Sequence, residues 1–183
     1  FTSELIHSNI QSFKYEIIWE KCKPSNFMLA KKQILKYHEN ILVFYDKQCI
    51  FNPQKFESKP MNTVYKSGGQ KATGIIGVHM DDIDNTDINR TDRYPKSILK
   101  IDEVINNSIE KSKGNNPTQK PIKLMEYLIK TYTNEGSTIL DFTCGSGTTL
   151  VAAKKLNRKC YGIELEEKYC EITKNRLIEL DTP

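Results

Sequence analysis

The stretch "LDFTCGSGTTLVAAKKL", Leu140 to Leu156, is an apolar run that enters a glycine turn and then a helical pattern. Backbone turned this way aims free N–H groups at whatever lies beside the start of the helix. Two phosphate-binding patterns can be tested against it. A P-loop needs Gly, four residues, then Gly-Lys-Ser/Thr, and no Lys follows Gly147. The dinucleotide fingerprint needs a third glycine, where this chain has Leu150. Asp141, directly before the turn, would repel a pyrophosphate and would favour a ligand carrying positive charge.

S-adenosylmethionine is such a ligand, with a sulfonium, an ammonium and no phosphate. It also has a ribose, and Glu164 stands 23 residues after Asp141, at the end of the next strand pattern. A carboxylate about 20 residues beyond a glycine turn is placed to accept hydrogen bonds from ribose hydroxyls. The turn, the acid before it and the acid after it together favour a methyl donor over a nucleotide.

These residues need elements to hold them, and the chain has three textures. In residues 1–51, Thr2 or Ser3 is a candidate cap for a helix with Ile6, Ile10 and Phe13 on its apolar face, and "KYEIIWEK" and "ILVFYDK" read as strands. Residues 52–116 are polar and rich in turn formers. They are too long for a plain connection and are expected to form an insertion or small subdomain. From residue 117 regularity returns. "KPIKLMEYLIKTY" predicts a helix with Pro121 in its first turn and Leu124, Met125, Leu128 and Tyr132 along one face. "STILDF" and "KCYGIE" predict strands. Thr149, Ala152, Ala153 and Leu156 give the helix between them a buried stripe, and a last helix carries Tyr169, Ile172, Thr173, Leu177 and Leu180. Helix-strand-helix-strand-helix order implies parallel strands with right-handed crossovers, an α/β architecture with a doubly wound, mainly parallel sheet.

The bulk numbers exclude rather than identify. A hydrophobic fraction of 38% and a charged fraction of 27% suit a globular domain, and no apolar run approaches the ~18 residues of a membrane span. Five cysteines without a C-x-x-C pair argue against zinc and for a reduced, cytoplasmic compartment, with those other than Cys144 as small core residues. A net charge of +4 permits a polyanionic partner without requiring one. "DDIDNTDIN" fails the calcium-loop pattern at its sixth and twelfth positions, and His7, His38 and His79 have no metal spacing. Trp19 and Tyr15 are expected in the core.

Two segments carry a resemblance. "DFTCGSGTT" resembles the D-P-F-x-G-S-G-T-T signature of DNA amino-methyltransferases, and "NPTQKP" resembles their H-P-T-Q-K-P. "HENILVFYDK" followed by "FNPQ" is similar to the segment that precedes their recognition region. The order matches the group whose target-base motif comes early and whose cofactor motif comes late. The resemblance implies a Rossmann-like methyltransferase fold that methylates the exocyclic nitrogen of adenine or cytosine. Asp141, Phe142, Cys144, Gly145, Ser146, Gly147 and Thr148 would hold the methionine end of S-adenosylmethionine and Glu164 its ribose, while Thr118, Gln119, Lys120 and Pro121 would close over it. Residues 1–51 would be the catalytic-side half, 52–116 the target-recognition insertion, and 117–183 the cofactor-binding half. Lys66, Lys71, Arg90 and Arg93, with Lys31 and Lys32, are the candidates for DNA phosphates, each weighed against an ordinary solvated side chain. Asn116 stands where His is usual, and Phe142 stands at the usual Pro position.

A larger departure is that the Asp-Pro-Pro-Tyr signature, which takes the amino hydrogen bonds of an extruded base, is nowhere in these 183 residues. "DRYPKS" has its Asp, Tyr and Pro in the wrong order. In the group resembled, that signature falls upstream of the residues similar to Phe1 onward, so it is expected before Phe1. Cys144 is rejected as a C5-cytosine nucleophile, because that chemistry uses a Pro-Cys pair. Family frequency favours adenine N6 over cytosine N4. The expected partner is double-stranded DNA, in a prokaryotic or phage-type intracellular setting, without a membrane. A homodimer and a cognate restriction endonuclease stay open. Two alternatives remain: a non-catalytic methyltransferase-like subunit that binds DNA or a partner, and a methyltransferase acting on RNA or a small molecule.

Overall fold

A computed structural model describes residues 1–59, 91–102 and 118–181. By its contacts the chain divides into one unit formed by Phe1–Asn52 and Lys96–Pro183, and a second, Pro53–Pro95.

The first unit opens on helix α1 (Thr2–Ser8), followed by strand β1 (Phe13–Glu20). The helix is shorter than its apolar spacing suggested. Phe1 rather than Thr2 or Ser3 occupies the cap position, Ile10 lies beyond the last turn, and Phe13 begins the strand. The β-branched and aromatic run that follows outcompetes helix continuation. Strand β2 (His38–Phe44) pairs antiparallel with β1, Ile17 opposite Ile41 and Trp19 opposite Glu39. On the other side of β1 lies β5 (Ile98–Lys100), in parallel register. Sequence texture had grouped residues 98–100 with the insertion; here they complete the sheet order β2-β1-β5. The second unit contributes the two-residue strands β3 (Phe56–Glu57) and β4 (Asp92–Arg93), which pair antiparallel.

Helix α2 (Ile122–Tyr132) starts one residue after Pro121, whose carbonyl accepts from the amides of Leu124 (3.1 Å) and Met125 (3.3 Å). It is followed by β6 (Thr138–Asp141), α3 (Thr148–Lys155), β7 (Lys159–Gly162) and α4 (Glu167–Glu179). Strands β6 and β7 are parallel, with Asp141 opposite Gly162, so α3 is the crossover that the element order implied.

Two apolar clusters form the core. Ile17, Trp19, Leu99 and Leu124 make the first, and Trp19 is anchored by its indole N–H donating to the Ile101 carbonyl at 2.7 Å. Ile129, Ala152 and Ala153 make the second, against Ile139 and Cys160. Ala152 and Ala153 are fully buried, which lets α3 lie close against α2. Met125 touches both clusters, so α2 is shared between them. Burying each large apolar side chain contributes roughly 1.5–3 kcal/mol. The opposite face of the β6–β7 pair carries Leu140, Tyr161 and Ile163, all exposed. Of the four cysteines expected in the core, Cys160 packs against the second cluster, whereas Cys22 is exposed and Cys49 and Cys170 are half-buried. Tyr15 also sits at the surface of the fold, its hydroxyl 2.9 Å from that of Tyr132. Among the described residues no helix is long and apolar enough to cross a membrane.

Candidate functional site

Strand β6 ends on Asp141, and its carboxylate accepts from the Thr143 amide at 3.1 Å, which starts the turn. The turn is then tied to the end of β7. The Ile163 amide donates to the Asp141 carbonyl (2.9 Å), and the Cys144 amide donates to the Ile163 carbonyl (3.0 Å). Gly145 and Gly147 both adopt positive φ, 53° and 76°. At Gly147 a side chain is excluded twice over, because a Cβ there would also lie 2.5 Å from the Thr173 methyl group. Gly162 is constrained from the other side, since its Cβ would meet the Cys144 sulfur at 2.9 Å.

Glu164 holds this turn with both carboxylate oxygens. Oε2 accepts from the Gly145 amide at 2.8 Å, and Oε1 accepts from the amides of Leu165 (2.8 Å) and Glu166 (2.9 Å). The Glu166 amide is the largest influence holding its carboxyl below the usual carboxylate range; desolvation opposes it, and the Gly145 and Leu165 amides add to the lowering. Helix α4 supports the turn from behind. The Thr173 hydroxyl donates to the Gly145 carbonyl at 3.1 Å, and the Arg176 guanidinium donates to the Ser146 carbonyl.

In front of the turn is a cavity of about 360 Å³. Asp141, Cys144, Gly145, Ser146 and Thr148 line one wall, while Thr118, Gln119 and Lys120 line another. Two segments separated by the whole of α2 and β6 therefore meet around one space. Of the other sequence candidates, Phe142 is exposed away from the cavity, Gly147 is buried at the start of α3, and Pro121 is buried at the start of α2. Glu164 borders the turn rather than the cavity. Met125, Thr143 and Thr149 also line the cavity, and sequence reasoning gave none of them a site role. Thr173 and Arg176 were missed as supports because their contacts cross about 30 positions of sequence, which no local spacing encodes.

The electrostatics of the cavity depend on Lys120. Its ammonium lies 3.0 Å from Glu39 and 5.8 Å from the centre of the Trp19 ring. Burial pushes the Glu39 carboxyl up, but Lys120 and then Lys21 outweigh it and hold the group below the usual range. Lys120 shares the Glu39 carboxylate with Lys21, so the cavity wall carries a partly compensated ammonium on one side and the Asp141 carboxylate on the other. Burial, then the Asp141 and Glu164 charges, push the Cys144 thiol up, so it is a poor nucleophile at neutral pH. Among the described residues no His/Cys/Asp/Glu group is arranged to hold a metal.

Of the DNA candidates in the insertion, Lys66, Lys71 and Arg90 lie outside the described residues, as does the acidic run "DDIDNTDIN". Arg93 is in β4, donating to the carbonyls of Asp92 (3.2 Å) and Lys59 (3.4 Å).

The site is thus a parallel strand–glycine turn–helix unit with an acid on each side of the turn. Comparison with known proteins gives the family. The N6/N4 methyltransferase family model, described as DNA methylase, matches residues 4–175, and the chain belongs to that family. It is 49% identical over 69 residues to the type II methyltransferase M2.DpnII of Streptococcus pneumoniae, covering 38% of this chain and 26% of that protein. Among solved structures, the M1.HpyAVI–SAM complex is 28% identical with a TM-score of 0.56, over 95% of this chain and 66% of that one. The PvuII DNA methyltransferase (cytosine-N4-specific) superposes with a TM-score of 0.62 at 16% identity, over 96% of this chain and 56% of that one, and so speaks for the fold alone. The chain has a Rossmann-like methyltransferase fold, and it spans between a quarter and two thirds of the length of these relatives.

Proposed function

We propose that these residues form the donor side of an S-adenosylmethionine-dependent DNA amino-methyltransferase. The observation that carries the reading is the meeting of Thr118–Lys120 and the glycine turn around one cavity that has Asp141 in its wall. Asp141 suits the ammonium of the methionine end. Gly147 lets the turn pack directly against Thr173 of α4, which fixes the backbone that faces the cavity. A carboxylate has about four acceptor positions, and Glu164 uses three on backbone amides, so one remains for a ribose hydroxyl. The solved M1.HpyAVI structure is a complex with SAM, which supports the same assignment here.

When bound, S-adenosylmethionine supplies an electrophilic methyl group. This chain's part is to hold and orient it: the departing group is a neutral thioether, so no general acid is required of the cavity, and alignment is the main contribution. The acceptor is proposed to be the exocyclic amino nitrogen of a base extruded from double-stranded DNA, adenine N6 ahead of cytosine N4. No Asp-Pro-Pro-Tyr segment lies within the 183 residues, so the acceptor-side hydrogen bonds are assigned to none of them.

The test is calorimetric titration of the chain with S-adenosylmethionine, NAD and ATP. One-site binding of S-adenosylmethionine alone, lost in Asp141→Ala, is expected. Binding of NAD or ATP in its place, or no binding at all, would overturn the reading. Mass spectrometry of nucleosides from DNA incubated with the active protein then separates N6-methyladenine from N4-methylcytosine.

A further inference from the structure

The connection between β1 and β2, from Lys21 to Tyr37, is far longer than the about 2–5 residues of an ordinary hairpin loop. It is nevertheless held in shape by its own backbone. The Lys21 amide donates to the Tyr37 carbonyl (2.7 Å) and the Ser25 amide to the Lys36 carbonyl (3.0 Å). Asn26 bridges the middle, its side-chain oxygen accepting from the Lys36 amide (2.6 Å) and its nitrogen donating to the Ile34 carbonyl (3.3 Å). A single 3-10 turn, Phe27–Leu29, forms the tip.

What this scaffold displays is unusual for a solvated loop. It contains five lysines and no acidic residue, more positive charge than the +4 net of the entire chain. Lys23, Lys31, Lys32 and Lys36 are exposed, and none takes part in an ion pair with a described residue. Between them stand Phe27 at 68% exposure, Met28 at 86% and Ile34 at 94%. Ordered backbone that holds apolar side chains out in water, ringed by cations, is matched to a partner with an anionic backbone and an apolar interior.

The loop is also tied to the cavity. At its base Lys21 hydrogen-bonds Ser25 and lies 3.2 Å from one oxygen of Glu39; the other oxygen lies 3.0 Å from Lys120, which lines the cavity. One carboxylate thus joins the base of the loop to a residue of the cavity wall.

We propose that the Lys21–Tyr37 connection is a DNA-contact element, its exposed lysines meeting backbone phosphates and its Phe27–Met28 tip and Ile34 bearing on bases beside the extruded one. This rests on the DNA-methylase reading, and it places DNA contacts outside the insertion.

The experiment titrates a fluorescent mixed-sequence duplex with the wild-type chain, K31E/K32E, F27A/M28A and the control K174E, a charge reversal on α4, at several salt concentrations. Each protein is also titrated with S-adenosylmethionine. We expect K31E/K32E to bind duplex roughly tenfold or more weakly, with the log–log salt slope smaller by about two. F27A/M28A should bind more weakly with an unchanged slope, because apolar contacts release no counterions. All should bind S-adenosylmethionine as the wild type does. Should K31E/K32E lose its thermal transition, K31Q/K32Q takes its place. The proposal is overturned if the loop variants bind duplex as wild type does, if K174E loses as much, or if the wild type binds S-adenosylmethionine but no duplex. It is also overturned if the loop variants lose binding to anionic phosphatidylglycerol vesicles and none to duplex, which would assign the surface to lipid. Failure of the wild type to bind S-adenosylmethionine would instead sink the cofactor reading and leave the duplex arm to judge the loop.

Discussion

The turn between β6 and α3 and the connection between β1 and β2 both leave a strand for irregular backbone, and they spend their polar groups differently. In the turn, backbone is fixed by side chains from elsewhere: Glu164 takes the Gly145 amide, Thr173 takes the Gly145 carbonyl and Arg176 takes the Ser146 carbonyl. In the connection, backbone is fixed mostly by its own hydrogen bonds and by Asn26, and its charged and apolar side chains stay in solvent. The first arrangement suits a pocket for a small ligand, where shape must be held before binding. The second suits a surface for a large partner, where side chains do the touching.

The contrast is broken most severely at Gly147. Gly147→Val should combine an L-residue strained at positive φ with the collision against Thr173, a cost of about 2–5 kcal/mol, and abolish S-adenosylmethionine binding. Thermal melting and calorimetry check the two parts. A variant that melts and binds as wild type would show that α4 yields and that the turn is not held from behind.

Glu164→Gln is next. An amide nitrogen placed among three N–H donors removes acceptors the turn relies on, and affinity for S-adenosylmethionine should fall roughly tenfold or more. The pH dependence has a definite sign. With its folded pKa depressed, Glu164 stabilises the turn above its unfolded value and loses that contribution as pH falls through the folded one. Wild-type binding should therefore be insensitive to this group across the neutral range and weaken only in acid, and a profile that bends near neutrality would point to another group.

Thr173→Val keeps the shape and deletes one hydrogen bond to Gly145, so a loss of about 1 kcal/mol in unfolding free energy is expected by denaturant titration. Glu39→Gln leaves the partly solvated Lys120 little affected but removes a counter-charge from the buried Lys21, and because the amide oxygen can still accept from that ammonium a loss of about 1 kcal/mol or somewhat more is expected. Its informative readout is duplex binding. If one carboxylate couples the connection to the cavity wall, duplex affinity should fall in a variant that still melts cooperatively, and an unchanged affinity would make the two regions independent.

What the sequence could reveal followed from locality. The glycine turn, the acids on either side and the strand–helix–strand order all lie within about 25 residues, and the positions of β1, β2, β6, β7, α2 and α3 follow from apolar periodicity. The pairing of β5 with β1 spans some 80 residues, and three residues with polar neighbours carry no period of their own, so the strand was hidden in the insertion's texture. The early helix was overextended because Ile6, Ile10 and Phe13 fit a helical spacing that the strand beginning at Phe13 interrupts. Within the site, residue types named Asp141 and the turn, but only the fold shows that Lys120 spends its charge on Glu39 and that Phe142 faces outward.

Helix α2 carries a further consequence. Because Leu124 belongs to one apolar cluster, Ile129 to the other and Met125 to both, Phe1–Asn52 and Lys96–Pro183 share a single interior. Each fragment expressed alone would leave one side of that helix, or the sheet it covers, open to water. Mixed together, the two should recover native structure by fragment complementation, as two halves of one cooperative unit. Amide protons in the middle of α2 would then exchange among the slowest in the chain, reporting the strength of that reassembly more directly than any residue in the cavity.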